Sequence, residues 1–214
     1  MVPYVIRRQR TGRIAVGIAV AALLGVGASG LAAAPAFADA SISSSISWCS
    51  APALTQPFLA WGDQNEYALL PGESSDSFDG SGWSLSGGAN IVSAGLYDGT
   101  TGPVLDLPSG SEAVSPAFCV NSSFQDARTM VDDVAGDEGV QVYVSYQGTS
   151  TWHSPENVGL VNGQQNSWTL SDSVSLQPPP DDVWGWRLAR ITLIPGGQTS
   201  EFQIYDLYVD PYSK

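Results

Sequence analysis

The chain has 214 residues, 21 acidic and 8 basic side chains, and a formal charge of −13. It lacks the basic patch that nucleic-acid binding requires, and an acidic surface is repelled by anionic lipid. Two cysteines and one histidine also leave little room for a structural zinc site or a nucleophilic triad.

The N-terminus reads as a targeting segment. Arg7, Arg8, Arg10 and Arg13 form a basic region, and an apolar stretch follows from Ile14 to about Ala34. It closes on Ala36-Phe37-Ala38, a small-x-small pattern that a signal peptidase accepts, so residues 1–38 are read as a signal peptide cleaved after Ala38. The glycines between Gly12 and Gly30 and the Ala-rich end argue against a retained membrane anchor. The sequence around Arg7-Arg8 lacks the rest of a twin-arginine pattern, which points to Sec-type export. Every acidic residue lies at or after Asp39, so the mature chain keeps 21 acids against Arg128, Arg187, Arg190 and Lys214, a charge of −17. Solubility outside the cell accounts for that balance, with divalent cation binding as the alternative.

Residues 39–55 are a Ser-rich lead-in carrying Cys49. In an exported chain, Cys49 and Cys119 allow one pairing, so a disulfide is expected. From residue 56 onward the apolar pattern has a period of two and shows no helical stripe. "VQVYVSYQ" puts Val140, Val142, Val144 and Tyr146 on one face, and Gln141, Tyr143, Ser145 and Gln147 on the other. Similar runs are "EYALL", "GWSLSG", "ANIVSA", "PVLDL", "AVSPAFCV", "ARTMVDD", "ENVGLV", "SWTLSD", "RLARITLI" and "FQIYDLYV". Turn signals such as Pro71-Gly72, Asp98-Gly99, Gly136-Asp137 and Gly196-Gly197 separate them, and Pro178-Pro179-Pro180 is a connection. About ten short strands at this spacing predict an all-β domain over 56–214, an antiparallel β-sandwich of jelly-roll type.

The blocks "QPFLAWGDQNEYALLPGE", "GWSLSGGANIV", "LPSGSEAVSPAFCV", "ARTMVDD" and "YDLYVDPY" occur here in that order. Together they resemble an uncharacterised family of small secreted proteins of actinomycete-type bacteria. That resemblance implies a jelly-roll domain similar to galactose-binding and other carbohydrate-binding modules, and it brings no catalytic residues. The chain departs from the family pattern at Thr192, where an Arg is expected, and at Tyr205-Asp206, where paired acids are expected.

Few residues are placed for chemistry. His153 sits in the polar loop "STWHSPE", the mature chain has no G-x-S-x-G elbow, and Gln64 stands where a GDS-type esterase block has serine. Asp132, Asp133, Asp137 and Glu138 bracket Gly136 but fail EF-hand spacing, so a solvated loop is expected there and calcium is the alternative. No cofactor is expected. Sugar binding has the most physical support, because aromatic rings stack on pyranose faces while amides and carboxylates take the hydroxyls. The expected ligand site is Arg128, Gln141, Tyr143 and Gln147, on one exposed surface if the strands "ARTMVDD" and "VQVYVSYQ" pair as a hairpin. Trp152, Trp184 and Trp186 are further ring candidates. The function expected is a secreted, non-enzymatic carbohydrate-binding module. A structural or interaction protein of the cell envelope is the alternative, and a hydrolase with two opposed carboxylates the third reading. Within the opening stretch, Trp61 is expected to pack and Asp63 to bond turn amides, with Tyr67 starting a strand.

Overall fold

The structure, a computed structural model, describes Cys49 and residues 51–148, 151–176 and 186–210. The signal segment, the lead-in up to Trp48, the Pro178–Pro180 run and Trp184 lie outside the described residues.

Among the described residues the strands are β1 (Ala68–Leu69), β2 (Ser84–Ser86), β3 (Asn90–Gly95), β4 (Thr101–Pro108), β5 (Glu112–Val114), β6 (Phe118–Val120) and β7 (Asp126–Ala135). They continue with β8 (Val140–Tyr146), β9 (Glu156–Val161), β10 (Thr169–Leu170), β11 (Val174–Ser175), β12 (Arg187–Pro195) and β13 (Glu201–Asp210). Thirteen strands stand where about ten were expected, and β1, β10 and β11 are only two residues long. The one helical turn among the described residues is 3-10, at Leu59–Trp61.

Two antiparallel sheets form a β-sandwich of jelly-roll type. The first runs β10-β7-β13-β4-β3, with β1 on β13 and β11 on β7; the second runs β2-β5-β12-β8-β9, with β6 on β12. The connections β4 to β5, β7 to β8 and β12 to β13 each cross from one sheet to the other. The expected hairpin of β7 with β8 therefore does not form. β7 has β13 on one side and β10 and β11 on the other, while β8 lies between β12 and β9.

The period-two pattern sets the core. Val140, Val142 and Val144 of β8 are buried, and Gln141 and Tyr143 between them are half-buried. Leu105 and Leu107 of β4 lie in register with Ile204 and Phe202 of β13, all fully buried. Each such side chain contributes about 1.5–3 kcal/mol on leaving water. Gly72, in the expected Pro71-Gly72 turn, has φ +88°, and a Cβ there would lie 2.3 Å from the Ser81 carbonyl oxygen. Only glycine fits that approach. Cys49 is disulfide-bonded to Cys119 of β6, with a Cα–Cα distance of 5.8 Å.

Candidate functional site

The stretch from Gln56 to Tyr67 folds back on the first sheet. Phe58 is fully buried, with edge contacts to Tyr67 at 5.1 Å and Tyr208 at 5.4 Å between ring centroids. Asp63 Oδ1 accepts the Asn65 N–H at 3.0 Å, the expected turn bond. Its Oδ2 accepts the Tyr67 hydroxyl at 2.6 Å and Arg128 Nη1 at 2.5 Å. Arg128 Nε donates to the Ser171 carbonyl at 3.0 Å. Burial and the neighbouring Asp63 acceptor together raise the Tyr67 hydroxyl pKa.

Arg128 is thus a strut between β7 and the incoming chain. It lies in the first sheet, whereas Gln141 and Tyr143 lie in the second, so the expected grouping of these side chains on one surface is corrected. The ion pair is only 17% and 10% exposed, and breaking it strands a desolvated carboxylate. Arg128→Ala is expected to destabilise the fold by about 3 kcal/mol. Urea unfolding checks this, and a midpoint within error of wild type would show the strut to be dispensable.

Gln141, Tyr143 and Gln147 do share the outward side of the second sheet. The Tyr143 hydroxyl donates to Gln141 Oε1 at 2.7 Å, and Gln147 forms a β-bridge with Trp152. Arg190 of β12 lies over the Trp152 ring, 4.2 Å from its centroid. His153 is exposed in the adjoining loop. The acidic loop does not converge. Asp132 and Asp133 are successive residues of β7 and point to opposite faces, while Asp137 and Glu138 are exposed. No group of three or more His, Cys, Asp or Glu among the described residues is arranged to hold a metal ion.

A second constellation lies on the outward face of the first sheet. Asn90 pairs with Asp106, Asp106 with Gln203, and Gln203 with Asp132, so β3, β4, β13 and β7 contribute one polar row. Directly opposed residues project to the same side, which aligns the four side chains across the strands. Asn90 Nδ2 donates to Asp106 Oδ2 at 3.3 Å. Asp106 Oδ1 and Asp132 Oδ1 are buried and accept no hydrogen bond. Burial raises the Asp132 pKa, opposed by a bond from the Ser167 backbone. Oxygens in this state need a donor to offset their lost hydration.

Aromatic rings adjoin the row. Tyr205, two residues beyond Gln203 on the same strand, stacks with Tyr97 at 6.5 Å, and the edge of Trp168 meets it at 4.6 Å. Trp61 packs on Tyr97 at 4.3 Å. Trp168 Nε1 also donates to the Gly95 carbonyl at 2.6 Å. Its contact with Tyr205 of β13 places the indole over the central strand of the sheet. Tyr97 is 41% exposed, and Trp61 and Trp168 are half-buried.

No family model matches the sequence, and no curated protein matches it. Among solved structures, the chain is similar to a family 11 carbohydrate-binding module from Clostridium thermocellum in complex with a beta-1,3-1,4-mixed-linked tetrasaccharide. The identity is 11% over 62% of this chain and 91% of that one, with a TM-score of 0.39. It is also similar to TmCBM61 in complex with beta-1,4-galactotriose, at 12% identity over 75% and 98% of the two chains and a TM-score of 0.36. A third is the C-terminal family 22 carbohydrate-binding module of Clostridium thermocellum Xyn10B, at 16% identity, 69% and 96% coverage and a TM-score of 0.38.

Proposed function

We propose that the protein is an exported, non-catalytic binding module that holds a carbohydrate on the outward face of its first sheet. The observation that carries this reading is the polar row Asn90, Asp106, Gln203 and Asp132 on one sheet face, with the partly exposed ring of Tyr97 near it. The amides of Asn90 and Gln203 both donate and accept, as sugar hydroxyls require, and Tyr97 and Trp61 offer ring surface beside them. Export is supported by the Cys49–Cys119 disulfide, which suits an oxidising compartment, and by the signal pattern in residues 1–38. Asp106 and Asp132 stand side by side on one sheet face with β13 between them, an arrangement that presents two acceptors and no opposed acid and base.

Gln141, Tyr143 and Gln147 form the competing surface, and a glycan array followed by titration of the best hit separates the two. Gln203→Ala is expected to weaken binding about tenfold, the loss of one hydrogen bond of about 1.4 kcal/mol. Tyr143→Ala is expected to leave binding unchanged, and the reverse pattern would move the site to the second sheet. An array without hits would favour the structural or interaction protein, and release of reducing ends from the bound glycan would favour the hydrolase.

A further inference from the structure

We propose that Asn162-Gly163 is a self-modification site, at which the Asn162 side-chain amide is lost as ammonia and the main chain is rebuilt largely as isoaspartate. Asn162 directly follows β9, is exposed, and is the only asparagine in the chain followed by glycine. Neither its side chain nor the Gly163 N–H has a hydrogen-bond partner among the described residues. The Gly163 nitrogen attacks Asn162 Cγ, its proton and the side-chain NH2 leave together as ammonia, and a cyclic imide joins the residues. Water then opens either imide carbonyl, giving aspartate or an isoaspartate whose main chain runs through Cβ and Cγ. Glycine favours the attack because it has no Cβ to obstruct the approach. Other asparagines are held in place. Asn90 Nδ2 donates to the Gly88 carbonyl and Asp106, while Asn121 and Asn157 each accept a backbone N–H two residues on. After Asn166, the Ser167 nitrogen is engaged, donating to the Gln164 carbonyl at 3.2 Å.

The loop after Asn162 ties β9 to β7 and leads to the aromatic face. The Asp133 N–H donates to the Gln164 carbonyl at 3.3 Å, and the Asp133 carbonyl accepts the Asn166 N–H at 2.8 Å. Gly163 packs so closely there that a Cβ would lie 2.8 Å from the Asp133 nitrogen. Isoaspartate adds a methylene to the main chain just before a contact that leaves no room for a methyl group. Both products also add a carboxylate close to Gly139, where a Cβ would lie 2.1 Å from Asn162 Oδ1. Burial, and then the charges of Asp137, Asp132 and Glu138, already raise the Asp133 pKa, so further negative charge beside them is unfavourable. The rebuilt loop is displaced from β7. Trp168, which follows it, then loses its fixed place against Tyr205 and its bond to the Gly95 carbonyl. The modification acts as a slow, irreversible release of the aromatic face, whatever that face binds.

The test incubates the full mature protein in mildly alkaline buffer and follows each asparagine by peptide mapping, with isoaspartate identified by fragmentation. Asn162 is expected to lose its amide about tenfold faster than any other asparagine, with isoaspartate in excess over aspartate. Amide loss no faster than at Asn121 or Asn166 would overturn the site, and aspartate in excess would overturn the rebuilt main chain. Trp emission is expected to change in proportion to isoaspartate content, and the change should be absent in Trp168→Phe. Asn162→Gln alters an exposed side chain and is expected to keep both its amide and its emission through the same incubation. Freshly prepared Asn162→Asp carries the charge without the added methylene and is expected to keep the wild-type emission. Thermal melts confirm that each variant is folded. An emission change in fresh Asn162→Asp equal to that of the aged protein would assign the effect to charge and overturn the main-chain route. Unchanged emission in protein that carries isoaspartate would overturn the release of the aromatic face.

Discussion

Stability is expected to fall as pH rises from 5 to 8, and Asp206→Asn is expected to remove most of that fall. Asp206 sits in the β13 bulge between Tyr205 and Tyr208 at φ 56°, only 5% exposed. Its Oδ1 accepts the Asp76 N–H at 3.0 Å. Burial is the main cause that raises its pKa from 3.8 to about 7, with the Asp76 charge adding to it and the Asp76 N–H opposing it. Between about pH 4 and 7 the folded chain therefore holds a proton that the unfolded chain has released. Unfolding releases protons in that window, so the folded state loses ground as pH rises. A shift of this size corresponds to something on the order of 4 kcal/mol, absent below the unfolded pKa and fully developed above the folded one.

Glu73 acts in the same direction. Burial pushes its carboxyl well above the usual range, although its Oε2 accepts the Leu207 N–H at 2.9 Å. Asparagine tolerates the left-handed backbone at position 206 and keeps an oxygen for the Asp76 N–H. Urea melts of wild type and Asp206→Asn at pH 5 and 8 check the expectation. The variant should be the more stable of the two at pH 8. A wild type equally stable at both pH values would sink the account, as would a variant with undiminished pH dependence.

Strand identity was legible in the sequence where burial is one-sided. In β8 the valines face in and the polar residues face out, because each strand has one side toward the opposite sheet. Asp63 was legible for another reason, since an Asx turn is closed within two residues. Strand order was not. The connection from Gly136 to Gly139 suits a hairpin as well as it suits a crossing between sheets, and only long-range packing decides. The sequence does not reveal Arg128 as a strut, because its partner, Asp63, is 65 residues earlier in the chain. The polar row was hidden in the same way. Its order β3-β4-β13-β7 inserts the last strand between two much earlier ones, and no local pattern announces that. A hint was present in "PVLDL", where Asp106 interrupts an otherwise apolar strand and is 8% exposed. A polar residue at a buried strand position marks a place to look for partners.

Removing the Cys49–Cys119 disulfide is expected to cost about 4 kcal/mol, because it closes a loop of 70 residues in the unfolded chain. Its position in the fold adds a second effect. Cys119 belongs to β6, which pairs with β12 through Leu188, so Cys49 is tied to the second sheet. Six residues later, Thr55 exchanges backbone bonds with Tyr67 at 2.9 and 2.7 Å, and β1 then joins β13 of the first sheet. The segment from Cys49 to Leu69 thus spans the two sheets along the chain, with the disulfide as its anchor on one of them. It also carries Trp61, which packs on Tyr97 at the aromatic rim, and Asp63, which pairs with Arg128. A Cys49→Ser, Cys119→Ser double variant should therefore lose stability and also loosen the aromatic rim of the candidate site. Thermal unfolding is expected to shift by on the order of 10 °C, and Trp fluorescence should change before global unfolding. Unchanged melting in the double variant would mean that packing of Phe58 and the Asp63–Arg128 pair hold the segment unaided. A melting shift without an earlier fluorescence change would assign the disulfide a global role and leave the rim independent of it.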